Sequence, residues 1–293
     1  MNILLAVDGS AHSKQATDHL ARFAGRGHRI TVLNVTPAPV PAPEKNLPSV
    51  TEALKLSAVA LTETVARELR RARRGTVRTA VVESMDVAGA VLAQASKTKA
   101  GLIVLGARGL NPLKAIFLGS VSQKVLERAP VPVLVVRAAR RGKIFKALLA
   151  ADGTPGGDRA AAFLKRLAPA GTRVSLLHAV LHPLAAWHPG PYGLPTEAYL
   201  SIDLLKQTRE DLKRRGRALL DRARRRWVGH RPPVETVLAE GFPAESLLAA
   251  ARSRGADVIV LGRRGLSRVD RFFLGSVSRK VSAHADRSVL IVP

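Results

Sequence analysis

The chain repeats itself. "GARGLNPLKAIFLGSVSQKV", residues 106–125, returns as "GRRGLSRVDRFFLGSVSRKV", residues 262–281, with 12 of 20 positions identical. "ILLAVDGS" from Ile3 to Ser10 returns as "ALLAADGT" from Ala147 to Thr154, 144 positions on. "LIVLG" from Leu102 to Gly106 returns as "VIVLG" from Val258 to Gly262, now 156 positions on. A unit of this size is a domain and not the short module of a solenoid. Two domains in tandem are therefore expected, at 1–141 and 142–293. The growing offset means a net insertion of 12 residues between the second and third strands of the second copy. It is expected in the Pro-rich stretch His182–Thr196, the counterpart of Thr36–Ser49.

Within each copy, short β-branched runs alternate with helical patterns. In the first copy the runs are Ile3–Val7, Ile30–Val35, Val77–Val82, Leu102–Leu105 and Val133–Val136. Their continuous apolar character suits strands buried on both faces. From Thr51 to Arg74, Leu54, Ala58, Leu61, Val65 and Leu69 fall on one helical face, and Ser49-x-x-Glu52 reads as a capping box. Leu205, Leu212 and Leu219 mark the equivalent helix of the second copy. Strand–helix alternation of this kind makes an α/β fold, a doubly wound parallel sheet in each domain. The last apolar strands, Val131–Val136 and Ser288–Val292, are edges, and an apolar edge is a template for pairing. An intrachain pseudo-dimer through these strands is expected, with a homodimer of chains as a further possibility.

Charge narrows the partners. Net charge is +25, with 34 Arg and 13 Lys, and the excess is shared evenly between the copies. Such a surface attracts polyanions. The densest runs, Arg70–Arg74 and Arg222–Arg226, close long helices, where cations face the negative helix end. They lack the interleaved aromatics of a base-stacking surface, which argues against nucleic acid as the specific ligand. With no cysteine there is no disulfide and no thiolate site. Neither a signal segment nor an apolar run of membrane-spanning length is visible, so a cytoplasmic location is expected.

The glycine spacing carries the chemistry. Gly106, Gly109 and Gly119 are followed directly by Ser120, and Gly262, Gly265 and Gly275 by Ser276. This is neither the GxxxxGK[ST] phosphate loop nor GxGxxG. Gly106 and Gly109 are expected to let the chain turn sharply off the sheet. Gly119 is expected to bring bare backbone amides to a helix start, where the dipole favours an anion. Ligands in doubly wound sheets bind beyond the strand carboxyl ends at the switch point in strand order. Asp8 ends the first strand and Gly106 the fourth, so a ligand between them is expected.

G-x2-G-x9-G-[S/T] after a β-branched strand, paired with an N-terminal strand ending in Asp, resembles the universal stress protein family, in its tandem form. The resemblance spans nearly the whole chain. It implies a Rossmann-like sheet of the adenine nucleotide alpha hydrolase type, in the order 3-2-1-4-5, and it implies ATP as the cofactor, with Mg or Mn. Carried over by position, Ala6 and Asp8 would line the adenosine and Val35 would offer backbone to the adenine. Gly106, Gly109, Gly119, Ser120 and Val121 would hold ribose and phosphates. The second set is Ala150, Asp152, Ala179, Gly262, Gly265, Gly275, Ser276 and Val277. Arg108 and Arg264, inside the glycine turn, are candidates for phosphate as readily as for solvent, while Lys124 and Lys280, one helical turn beyond the serines, read as solvated before they read as phosphate ligands.

Two departures stand out. Ala179 is smaller than Val35 at the adenine edge, and Ser84-Met85-Asp86 stands where the second copy has Gly241-Phe242-Pro243. Asp8 and Asp152 are the candidate metal ligands, because Mg²⁺ takes hard oxygens alongside phosphate. Nothing else near the motif supplies a clear base, so at most slow ATP hydrolysis is expected. His178, His182 and His188 form a histidine cluster that reads as solvated loop residues before it reads as a zinc site. The expected function is an ATP-binding stress-response or signalling module. The alternatives are a stress-protein scaffold acting through pairing alone, and a basic nucleic-acid-binding protein.

Overall fold

The computed structural model describes residues 1–23, 27–38, 50–72, 75–107, 118–137, 144–181, 202–263 and 274–293. Ser49 of the capping box, the histidines at 182 and 188, and the arms of both glycine loops lie outside them. The first half runs β1 (Asn2–Ala6), α1 (Ala11–Phe23), β2 (Arg29–Thr36), α2 (Val50–Ala72), β3 (Val77–Glu83), α3 (Val87–Lys97), β4 (Leu102–Gly106), α4 (Ser120–Arg128) and β5 (Val133–Val136). The second half repeats this order: β6 (Lys146–Ala150), α5 (Pro155–Leu167), β7 (Arg173–Val180), α6 (Ile202–Arg225), β8 (Glu235–Glu240), α7 (Pro243–Ser253), β9 (Val258–Gly262), α8 (Ser276–His284) and β10 (Ser288–Val292).

All ten strands join one sheet in the order β3-β2-β1-β4-β5-β10-β9-β6-β7-β8. Each half is thus a parallel sheet in the order 3-2-1-4-5, and the second is laid down in reverse. The seam is antiparallel, with Val135 opposite Val289 and Val133 opposite Ile291. Two apolar edges that would otherwise stand open close on each other.

Alternation along the strands divides the core. Ile3, Leu5, Val104 and Leu149 face a layer containing Leu20, Leu69, Leu164 and Leu220 from α1, α2, α5 and α6. Leu4, Ile103, Leu148 and Ile259 face the opposite layer, with Val91, Val125, Leu247 and Val281 from α3, α4, α7 and α8. Both layers run through the two halves without a break.

Two buried arginines cross the seam. Arg137 follows β5, and its Nη2 donates to the carbonyls of Ser282 (2.7 Å) and Ala283 (3.3 Å) at the end of α8. Arg263 follows β9, and its Nη2 donates to Leu126 (2.8 Å), Glu127 (3.1 Å) and Ala129 (2.8 Å) at the end of α4. The last carbonyls of a helix lack partners within it and carry its negative end, so each half supplies the cation that caps a helix of the other.

The insertion is not confined to the Pro-rich stretch. The β7–α6 connection, 181–201, is longer than its counterpart 37–49, but the α6–β8 connection also grows, to 226–234 against 73–76. The extra turn carries Trp227, which is buried. Sequence offsets fix only the sum of an insertion between two landmarks, and the proline-rich composition drew all of it to one place.

Candidate functional site

β1 pairs in parallel with both β2 and β4, so the strand order reverses beside it. β6 does the same between β7 and β9. At the carboxyl ends of these strands a cavity opens in each half. The first, about 310 Å³, is lined by Ala6, Asp8, Val35, Gly106, Gly119, Ser120 and Val121, with Val87 and Val91 from α3. The second, about 340 Å³, is lined by Ala150, Asp152, Ala179, Gly262, Gly275, Ser276 and Val277, with Pro243 and Leu247 from α7. The candidate residues therefore converge, except Arg108, Gly109, Arg264 and Gly265, which lie outside the described residues.

Gly106 has a different reason from the one the sequence suggested. A Cβ built on it would sit 2.7 Å from the carbonyl carbon of His12, and one on Gly262 would sit 2.6 Å from that of Gly156. The first turn of α1 or α5 crosses the end of the fourth strand there, and only a glycine admits it. Close approach, and not a turn, sets these two positions.

The helix start is also built differently. The Gly119 amide already donates to the Ala107 carbonyl (2.8 Å), and that of Gly275 to Arg263 (2.9 Å). These bonds tie the two ends of each glycine loop together. The amides of Ser120, Val121 and Ser122 are the ones with no carbonyl within their helix. Gly119 sits at φ −66°, ψ 151°, an extended conformation that any residue can take.

Two pairs of positioning residues escaped the sequence reading. Ser122 donates its hydroxyl to the Gly106 carbonyl, and Ser278 to that of Gly262, each at 2.8 Å. They pin the helix start to the strand end, and the signal was the identical "GSVS" in both copies. Asn34 Nδ2 donates to the Val7 carbonyl at 2.7 Å, and His178 Nδ1 lies 2.7 Å from the Ala151 carbonyl. A carbonyl only accepts, so His178 carries its proton on Nδ1. His178 thus serves the second half as Asn34 serves the first, fixing the residue before the aspartate. Among the described residues no group of three metal-binding side chains occurs.

Asp8 Oδ1 accepts from the Ser10 amide at 3.0 Å. Asp152 Oδ1 accepts from the amide (2.9 Å) and hydroxyl (2.7 Å) of Thr154. One carboxylate oxygen of each is thereby fixed in the turn. Lys280 is ion-paired with Glu245 of α7, which draws it away from a phosphate role. The turn before the third helix differs between halves. Gly241 takes φ 130°, a conformation open to glycine, and Ser84 does not follow it.

The universal stress protein family model matches this chain twice, at residues 1–137 and 144–293. The chain belongs to the universal stress protein family. A universal stress protein of Mycolicibacterium smegmatis is 28% identical over 303 residues, covering 99% of this chain and 96% of that one. The universal stress protein in the QAH/OAS sulfhydrylase 3′ region of Thermus aquaticus is 40% identical over 147 residues, which is 50% of this chain and 96% of its own length. The tandem architecture has a solved counterpart in a universal stress protein from Archaeoglobus fulgidus, with a TM-score of 0.64, 20% identity, and coverage of 99% and 97%. At that identity the likeness speaks for the fold. No helix among the described residues of this family member is long and apolar enough to cross a membrane.

Proposed function

We propose that each half binds ATP, and that the chain is a nucleotide-dependent stress-response or signalling module with at most slow hydrolysis. One observation carries this reading. In both halves the aspartate after the first strand, the backbone of the second strand and the first-turn amides after the glycine loop border a single cavity. The amides and helix dipole suit phosphate, while Val35, Val87 and Val91 suit the base and ribose. Both volumes fall at the lower end of the roughly 300–1,000 Å³ typical of ligand pockets. Arg108, Gly109, Arg264 and Gly265 belong to the proposed set through the motif.

Asp8 and Asp152 fit a metal that arrives with phosphate. Each has one oxygen fixed in the turn, and among the described residues the other takes no protein donor. A single carboxylate with phosphate oxygens is an ordinary Mg²⁺ arrangement, and Mn²⁺ accepts the same donors. The described lining of the first cavity holds no ionisable side chain besides Asp8, and that of the second holds Asp152 and His178. His178 lines only one of the two cavities, so the halves share no base, and slow hydrolysis at most is the reading proposed.

The proposal includes a domain boundary at 141/142 and the cytoplasm as the setting. Mass analysis of gently purified protein tests the ligand class, with co-purified adenine nucleotide as the expected result. Protein free of nucleotide, with no ATP binding in solution, would favour the second reading, a scaffold acting through its paired halves. The closed β5–β10 seam is the observation behind that alternative. Binding that collapses steeply with salt would instead point to a polyanion held by the basic surface.

A further inference from the structure

On the other side of β6 from the nucleotide cavity, the second half holds another cavity of about 260 Å³. Leu149 and Leu176 of the sheet, Leu219 of α6 and Trp227 form its apolar wall. Arg222 in the last turn of α6 and Arg226, the residue after its end, stand at the exposed mouth. Arg226 is ion-paired with Asp158 of α5. Arg222 has no ion pair among the described residues, so one guanidinium remains to meet an incoming anion. Trp227 comes from the lengthened α6–β8 connection, and the sequence of the corresponding four residues in the first half, Arg73-Arg74-Gly75-Thr76, has no aromatic residue.

We propose that this cavity is a second small-molecule site, selective for a monocarboxylate on an aromatic or medium-chain apolar body. The apolar wall supplies the driving force for the body, and an indole side suits a ring. An apolar cavity of about 150 Å³ accommodates benzene, so this one has room for a ring with a short chain. The planar fork of Arg222 matches a carboxylate with two parallel hydrogen bonds. A dianion such as a phosphate monoester would call for a second free cation, and Asp158 holds the neighbouring one. Ala150 and Asp152 of the proposed nucleotide set border this cavity too, Asp152 with one oxygen held by Thr154, and only the contacts on α8 are separate from it.

The chain has two tryptophans, so Trp187→Phe leaves Trp227 as the sole indole reporter in the full-length protein. Titration of that protein with hydrocinnamate, without nucleotide, is expected to give a saturable change in Trp227 fluorescence. Hydrocinnamyl alcohol should bind roughly tenfold or more weakly, and Arg222→Gln should weaken hydrocinnamate by the same factor, since the bidentate pairing of carboxylate with guanidinium is lost in each case. Ala161→Leu, which fills the cavity from α5, should abolish the response. Arg222 lies on the surface, so its variant reports even if the filled cavity disturbs folding. No saturable response from the parent protein, or equal affinity in parent and Arg222→Gln, would overturn the proposal.

Discussion

The Arg263 guanidinium lies 2.8 Å from the carbonyl oxygen of Leu126, across the seam between the halves. The residue at which one glycine loop begins therefore caps the α4 helix whose first turn borders the other half's cavity. Arg263→Met keeps an unbranched apolar stem and removes three charge-assisted contacts to carbonyls at the end of α4. Hydrogen bonds to charged groups contribute roughly 1.5–3 kcal/mol each, and bonds sharing one donor group are not additive. A loss of about 3 kcal/mol is expected from urea unfolding. An unchanged midpoint would show that water replaces the guanidinium without loss.

Gly119→Val and Gly275→Val should abolish ATP binding while leaving the fold intact. The extended conformation at Gly119 is one that a β-branched residue adopts readily, so no backbone strain follows. The new side chain would instead stand at the helix start, where phosphate approaches the Ser120 and Val121 amides. Calorimetry on the folded double variant is the measurement. Retained affinity would remove the phosphate-loop assignment.

Wild-type protein should take up two ATP per chain with unequal affinities. The second cavity is larger, about 340 Å³ against 310 Å³, and Ala179 stands where the first half has Val35. Two methyl-sized groups fewer against the base correspond to roughly 1–1.5 kcal/mol at about 0.8 kcal/mol per buried CH₂. That is about tenfold in affinity, with the second site the weaker. Ala179→Val should narrow the gap. A stoichiometry of one would show that retention of the motif overstates binding.

Acid should destabilise the fold through His19. This residue of α1 is buried and meets Phe145 edge-on, with ring centroids 5.8 Å apart. Burial, with a smaller contribution from Arg22, pushes its pKa down to about 4. Between about pH 6.5 and 4 the unfolded chain binds a proton that the folded chain refuses, so stability falls as pH falls through that window. The full loss, about 3 kcal/mol, is reached below pH 4. Phe163 occupies the matching position of α5 and is equally buried. His19→Phe should therefore fold and flatten the pH dependence in this window.

Cutting the chain between residues 137 and 144 should leave the two pieces together. The seam ladder and both arginine caps join the pieces without the connecting peptide. Co-elution of the nicked pieces in size-exclusion chromatography is the expected result. Separation without denaturant would show that the connection holds the halves in place.

Much of this is legible in the sequence. Alternating apolar runs gave the parallel sheet, and the doubled Asp and glycine motifs placed one cavity in each half. What escaped depends on contacts distant in sequence. Gly106 is fixed by the first turn of α1, almost a hundred positions earlier, and no local pattern encodes that approach. Arg137 and Arg263 read as two more cations in a basic chain, because their acceptors belong to the opposite half. His178 read as a loop histidine, yet it stands in the position of Asn34 and does the same work. Its register in the repeat was the available clue.

The seam arginines have one further consequence. In a dimer of identical chains, every interface residue must serve twice, once on each side of the axis. Here Arg263 has Ala107 as its counterpart in the repeat, and Ala107 is buried with no side chain to reach across. Fusion into a single polypeptide has released the halves from that symmetry. One copy can gain a bridging cation, a longer turn or a new hollow without imposing the same change on its twin.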